Sequence, residues 1–371
     1  MEGRYRMTEN NPIIRVKNLN KSFGDKLVLK GINFEVFKGE LFVIVGYSGS
    51  GKSTLLRVLA GLEELDNGEI FFNGADVSKI PPQKRKIGMV FQDYAVWPHM
   101  SVRKNIEFVL QDDRTNASRR DEFILDLLTK VGLSEKIDST PSQLSGGQLQ
   151  RVALARALAV EPDILLMDEP LSNLDRQVKK ALQLEILRIT KEMGVTTLFV
   201  THDQEEAQLL ADRIAVMNSG EIEQIGNQRI FYENPANPVV ASFMDEVIQY
   251  GGVIEGLNHE KYSIRIQDKI VEMSPINQTS LKKSDHCDIC LRMTDLRLRD
   301  DGWIDGTVIS EKFFSGKNHL IINLNNDLTV NLEVDDDVNK EFGTKVKLST
   351  AENRAMIFSQ EPKLENKTVT V

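Results

Sequence analysis

Short stretches of this sequence carry the residue types that phosphate chemistry needs. Gly46-Tyr47-Ser48-Gly49-Ser50-Gly51-Lys52-Ser53 has the spacing G-x-x-x-x-G-K-[ST], between the apolar run Leu41 to Val45 and a helical stretch from Thr54 to Leu62. Glycines there let backbone N–H groups curl around a β-phosphate seated on a helix N-terminus. Lys52 would reach the β- and γ-phosphates, and the Ser53 hydroxyl would ligate Mg²⁺. The competing reading, a Gly/Ser loop capping a helix by chance, is disfavoured by a strand and a helix in their required places.

A second stretch, Ile164 to Met167 followed by Asp168-Glu169-Pro170, is an apolar strand ending in two acids. A carboxylate at the C-terminal end of such a strand faces the ligand crevice of an α/β sheet. Asp168 is therefore a candidate for the Mg²⁺ shell, usually through water. Glu169 is either the base that polarises an attacking water or a solvated loop acid. A third stretch, Leu144-Ser145-Gly146-Gly147-Gln148, precedes the helical run Leu149 to Ala159, with Ser145 a good N-cap. This is either a simple capped helix or a second anion-receptive helix start. One nucleotide does not need two on one chain, so the economical reading has it close over the nucleotide of another subunit.

The elements that must position these groups are visible as texture. From about Asn11 to Asp245, short apolar strands alternate with helical stretches, the rhythm of an α/β domain. Leu41 to Val45, Ile164 to Met167 and Thr197 to Val200 read as parallel strands buried on both faces. Between them lies a mostly helical insert, in which Phe123, Ile124, Leu127, Leu128 and Val131 recur at helical spacing before Gly132. After about Glu246 the pattern changes to short alternating segments (Thr307 to Ser310, His319 to Asn323, Leu328 to Val334) separated by turn residues, a β-rich barrel or sandwich.

Composition bounds the possibilities. At roughly 150 residues per domain, 371 residues make two or three domains. With 41% hydrophobic and 27% charged residues the chain is ordinary for a globular protein. A net charge of −9 argues against nucleic acid as a partner. No apolar run approaches the ~18 residues of a membrane span, and the N-terminus shows no apolar signal region. Work at a membrane would therefore need a partner that spans. Two cysteines make no disulfide scaffold and fit a reducing compartment. Cys287 and Cys290 lack a second pair for structural zinc, and alternation points Cys290 inward. Asp335-Asp336-Asp337 reads as a solvated turn.

The ordered motifs, with LSGGQ between a phosphate loop and LLMDEP, resemble the ATP-binding subunits of ABC transporters over about Ile13 to Met244. The resemblance implies ATP and Mg²⁺ as cofactors and a homodimer in which each site pairs Lys52, Ser53, Asp168 and Glu169 with the other chain's Ser145, Gly147 and Asp175. It matches Phe23 to the aromatic that stacks on adenine, although a core aromatic is the other reading. It matches Gln92 to the glutamine that senses Mg²⁺ and water, or else an ordinary strand-end amide. It matches Asp175 to the loop that crosses the dimer interface, and His202 to the switch histidine at the γ-phosphate. Tyr47 and Ser50 stand where relatives often have Pro and Cys, both at positions that use backbone N–H groups.

Tyr94 to Met100 resembles the importer segment that receives a short permease helix, with Trp97 the sharpest contact candidate beside Tyr94 and Met100. A Trp packed between subdomains is the alternative. Ile289 to Leu298, Gly306 to Phe314, Gly316, Gly343 and Val346 to Leu348 resemble the regulatory domain of importer ATPases for sugars, polyamines, sulfate or ferric iron, except that Arg292-Met293-Thr294 replaces the usual Arg-Pro-Glu.

The expectation is an α/β P-loop NTPase domain over 12–245, with a helical subdomain at about 94–150. An all-β OB-like regulatory domain follows over 246–360, and a tail over 361–371 is expected to fray. Such a protein would hydrolyse ATP on the cytoplasmic face of the membrane, powering a permease served indirectly by an extracytoplasmic solute-binding protein. Ferric iron is the favoured cargo, and sugar or polyamine the alternative. A soluble, non-transport ABC ATPase fits less well, because such proteins often carry two ATPase units or a long coiled coil.

Overall fold

A computed structural model describes residues 11–360 apart from 111–116, 173, 259, 315, 325–327 and 336–339. The tail at 361–371 and most of the Asp335–Asp337 turn thus lie outside the described residues. The chain forms two compact units that divide between Gln228 and Arg229.

In the first unit, a six-stranded sheet runs in the order Glu221–Gly226, Arg213–Asn218, Leu41–Val45, Thr196–Thr201, Ile164–Asp168, Ile87–Val90. The strands Leu41–Val45, Thr196–Thr201 and Ile164–Asp168 are buried at every position. That is why they read as continuous apolar runs: a parallel strand covered on both faces has no wet side to encode. Their register aligns Val45 with Thr201 and Asp168 with Val200. The residues that follow, the Gly46 loop, His202 and Glu169, therefore leave the sheet side by side.

The helix Lys52–Ala60 buries Leu55, Leu56, Val58 and Leu59 in one core with the sheet and with a four-stranded antiparallel sheet carrying Ile14, Val16, Leu29 and Phe34. It starts two residues earlier than its apolar pattern predicts, and Gly61, in the left-handed region at φ 76°, closes it. The insert contains the helices Val102–Glu107, Ala117–Lys130 and Gly146–Ala159. Ile124, Leu127, Leu128 and Val131 are buried as their spacing predicts, with Gly132 at φ 66° beyond.

The second unit is all-β at its centre. Val247–Asn258, Lys261–Ile266, Lys269–Pro275, Arg354–Ser359 and His286–Arg292 close a five-stranded, OB-like barrel. A five-stranded sheet follows, in the order Leu296–Leu298, Lys345–Thr350, Ile304–Phe314, Lys317–Leu324, Thr329–Val334. The strands begin and end beyond the sequence segments that signalled them. Helix Pro238–Met244 belongs to this unit, since Ala241 is buried with Cys290, Met356 and Phe358. Alternation predicted only Cys290 inward, yet both cysteines are buried free thiols. Cys287 faces the barrel core and Cys290 faces the cluster with Ala241, so this strand is covered on both sides.

Candidate functional site

The phosphate loop is a backbone cradle. Gly49 and Gly51 adopt φ of 81° and 102°, values that side chains resist. Gly46 cannot carry a Cβ, which would lie 2.0 Å from the Met217 carbonyl oxygen. The helix Lys52–Ala60 begins at Gly51 with no side-chain cap and no acid in its first turn. Its N-terminal N–H groups are thus left to an anion, which the helix dipole also favours. Tyr47, Ser48 and Gly49 are exposed at the mouth, and Thr54 is half-buried behind them. Ser50 is buried, and its hydroxyl has no hydrogen-bond partner among the described residues.

Lys52 is only 4% exposed and donates from Nζ to the carbonyls of Gly46 (2.8 Å) and Tyr47 (3.0 Å). This fixes the ammonium inside the loop. Burial lowers its pKa, while Glu169 and Asp168 oppose that shift. A cation held half-compensated in a dry cradle is the charge a phosphate would complete.

The Ser53 hydroxyl donates to Asp168 Oδ1 at 2.8 Å. Asp168 is buried, and burial raises its pKa; the Ser53 hydrogen bond, Arg57 and Lys52 pull it back down, and Glu169 adds to the rise. Paired oxygens of this kind suit a hard divalent cation. Glu169 sits at φ 42°, a strained conformation that turns the chain sharply after the strand. Its N–H donates to Val200 O at 3.0 Å, and its carboxylate Oε2 lies 2.9 Å from His202 Nδ1. The glutamate side chain is 15% exposed, so it is no solvated loop acid, and the histidine is half exposed beside it. Gln92 Nε2 donates to Ser172 Oγ at 3.4 Å, and Ser172 Oγ donates to the Glu169 carbonyl at 3.0 Å. The sequence offered no signal for Ser172, whose role comes only from where the chain turns.

The remaining candidates, Phe23 apart, lie at two helix starts. Ser145 caps Gly146–Ala159 in a closed box: Gln148 N–H donates to Ser145 Oγ (3.4 Å) and Ser145 N–H to Gln148 Oε1 (2.9 Å). Gly146 and Gly147 lie tight against Leu174, Val178 and Leu182, which sets this helix start beside the Asp175 loop. Asp175 caps the helix Arg176–Met193, accepting from the N–H groups of Gln177 and Val178 at 3.1 Å each. Phe23 ends the strand Ile14–Phe23 and is 47% exposed with Lys21 Nζ 5.0 Å from its ring, which removes the core-aromatic reading.

The ABC transporter family matches residues 29–172. The spermidine/putrescine import ATP-binding protein PotA of Photobacterium profundum is 36% identical over 366 residues, 95% of this chain and 98% of that protein. The chain belongs to the ABC transporter family. Within it, the Fe(3+) ions import ATP-binding protein FbpC of Fusobacterium nucleatum subsp. nucleatum is 43% identical over 243 residues, 66% of each chain. A dimeric ATP-binding cassette in a post-hydrolysis state bound to ADP and Pi superposes with a TM-score of 0.52 at 30% identity, covering 58% of this chain and 98% of that one.

This ABC protein is an ATP-binding ATPase of the importer branch that carries a C-terminal regulatory domain. No helix among the described residues is long and apolar enough to cross a membrane. The Trp97 ring is half-buried, 4.4 Å from Phe108 and 4.7 Å from the Arg156 guanidinium. Arg156 also donates to the carbonyls of Ala95 and Tyr94, whose φ angles are 46° and 63°. The strongly exposed aromatic of this face is Phe108.

Proposed function

We propose that this protein hydrolyses ATP as a homodimer on the cytoplasmic face of a membrane and drives solute import through a permease. One observation carries the hydrolytic part: Glu169 and His202 leave adjacent parallel strands and meet at 2.9 Å beside the Lys52 loop. Glu169 is the base for the attacking water, and His202 orients its carboxylate and faces the γ-phosphate. Lys52 and the loop N–H groups stabilise the charge that spreads over the transferred phosphoryl group. Ser53, Asp168 and Gln92 would hold Mg²⁺, which neutralises phosphate charge when bound. Phe23 offers its exposed ring to adenine. Ser145, Gly146, Gly147, Gln148 and Asp175 act on the nucleotide of the partner subunit.

Permease contact falls on the face carrying Tyr94, the half-buried Trp97, Met100 and the exposed Phe108. For cargo, relatives matching nearly the whole chain favour a polyamine. Ferric iron is the second reading, supported by a relative at 43% identity over a shorter span.

The test is Glu169→Gln. It should keep ATP binding and lower turnover by ~10²–10⁴, the usual range for lost general-base help. Trapped with ATP and captured from solubilised membranes, it should bring down a permease whose solute-binding protein takes spermidine or putrescine rather than ferric iron. Near-normal hydrolysis would remove the base from Glu169.

A further inference from the structure

The switch histidine does not stand on its loop alone. The helix Arg176–Met193 carries Lys179 one turn beyond Asp175, and the Lys179 N–H donates to the Asp175 carbonyl at 2.9 Å. Lys179 Nζ then reaches away from its own helix, to Asp203 Oδ2 at 2.6 Å and to Glu206 Oε1 at 2.8 Å. Glu206 is almost wholly buried, and Lys179 and Asp203 are mostly so. Asp203 is the next residue after His202. Its N–H donates to Thr201 Oγ1 at 3.0 Å, and its Oδ1 caps the helix Gln204–Leu210 by accepting from the Glu206 N–H at 3.1 Å. His202 is therefore spanned by two anchored neighbours, and the second is tied to Lys179.

We propose that Lys179 is a positioning residue that couples the Asp175 loop to the Glu169–His202 pair. The inference rests on the assignment of Glu169 and His202 to hydrolysis given above. The path is short and continuous: Asp175, one helical turn, Lys179, Asp203, His202, Glu169. Each link is a hydrogen bond or one peptide unit. The tie is well made for transmitting displacement. Burial opposes the charge on Lys179, yet hydrogen bonds to Asp203 and Glu206 outweigh it and raise its pKa. Those same bonds to Lys179 and the cap N–H groups hold the Asp203 carboxylate below its ordinary range despite burial. The hydrogen bonds favour the charged forms of both Lys179 and Asp203, so the tie acts as a strut. A rigid link is what carries a shift of one loop to another. When the Asp175 loop is displaced, as by a partner subunit docking on it, the strut moves Asp203 and with it the imidazole that holds Glu169. Hydrolysis is then sensitive to whether the Asp175 loop is seated.

The test uses the full-length protein. Lys179→Met keeps the stem and removes the donors. It should lower kcat by ~10–10²-fold, the scale of a small misplacement of a catalytic group. KM for ATP and the binding of a fluorescent nucleotide should stay within about twofold. Lys179→Arg should restore kcat. Asp203→Asn, which keeps a good N-cap but drops the charge, should repeat the Lys179→Met effect. If Lys179 acts through the histidine, adding Lys179→Met to His202→Ala should lower kcat no further. Three results would overturn the coupling: kcat within twofold of wild type in both Lys179→Met and Asp203→Asn, full additivity with His202→Ala, or equal losses of kcat, nucleotide binding and Tm, which mark a merely structural ion pair. Should His202→Ala itself leave kcat unchanged, the hydrolytic assignment fails instead, and the two failures are told apart.

Discussion

The crevice of the first unit and the barrel unit use charge in opposite ways. At the crevice, Lys52 is buried at the start of the helix that follows the phosphate loop and Asp168 at the end of a wholly buried strand, and their pKa values move toward each other under desolvation. In the barrel unit, Arg265–Glu255, Lys269–Asp305 and Lys317–Glu333 pair on the surface with side chains about half exposed. Such pairs contribute about 0–1 kcal/mol each and are easily exchanged. Buried, incompletely compensated charge is unfavourable for folding alone and is retained where a ligand completes it. The crevice is thus tuned toward a ligand, whereas the buried Arg292 of the barrel unit is already answered by Asp245, Asp295 and the Tyr232 carbonyl.

Glycines draw the same line, and they offer the largest effect. Gly46→Ala forces a Cβ to within 2.0 Å of a backbone oxygen, that of Met217, so the phosphate loop must move as a whole. Nucleotide affinity should fall by ~10² or more, given what small displacements do to positioned groups, as measured by titration with a fluorescent ATP analogue. In the barrel unit, a Cβ on Gly306 would meet Ile322 Cγ2 at 2.6 Å, a side-chain end in a packed core. Overpacking of that kind costs about 1–3 kcal/mol. Gly306→Ala should therefore lower the second unit's unfolding midpoint in denaturant and leave ATP hydrolysis within twofold. Loss of hydrolysis in Gly306→Ala would break the division between the two regions.

How much of this was readable from the chain follows the same physics. Strands such as Leu41–Val45 announced themselves because burial on both faces demands continuous apolar sequence, and the phosphate loop because its backbone angles demand glycine. Ser172 and Lys179 gave no signal, since their partners Gln92 and Asp203 are brought to them by the sheet and by helix packing rather than by spacing. The surroundings of Trp97 were hidden for a related reason. A lone Trp in a polar loop reads as an exposed anchor, and only the fold lays Phe108 and Arg156 against it. The barrel was legible as a class through its alternation and turns. In the barrel strand His286–Arg292, Cys287 points into the barrel core and Cys290 points to the other face, which is buried because helix Pro238–Met244 covers it.

That strand supplies the most delicate probe of the comparison. Burial, with help from nearby acids, raises Cys287 to about 11, and burial raises Cys290 to about 12. An exposed cysteine near 8.5 is partly thiolate at pH 8, and the thiolate is the reactive form. Native protein at pH 8 should therefore leave both thiols unlabelled by a disulfide reagent, whereas protein unfolded in denaturant should expose two per chain. Slow labelling of the native protein would then report opening of the second unit alone, because labelling needs that strand to leave its two apolar faces. Saturating ATP should leave the slow rate unchanged, since every residue assigned to the nucleotide lies in the first unit. A severalfold change in that rate with ATP would mean that the barrel unit senses the nucleotide, and the contrast between a tuned catalytic unit and an independent barrel would give way to a coupled pair.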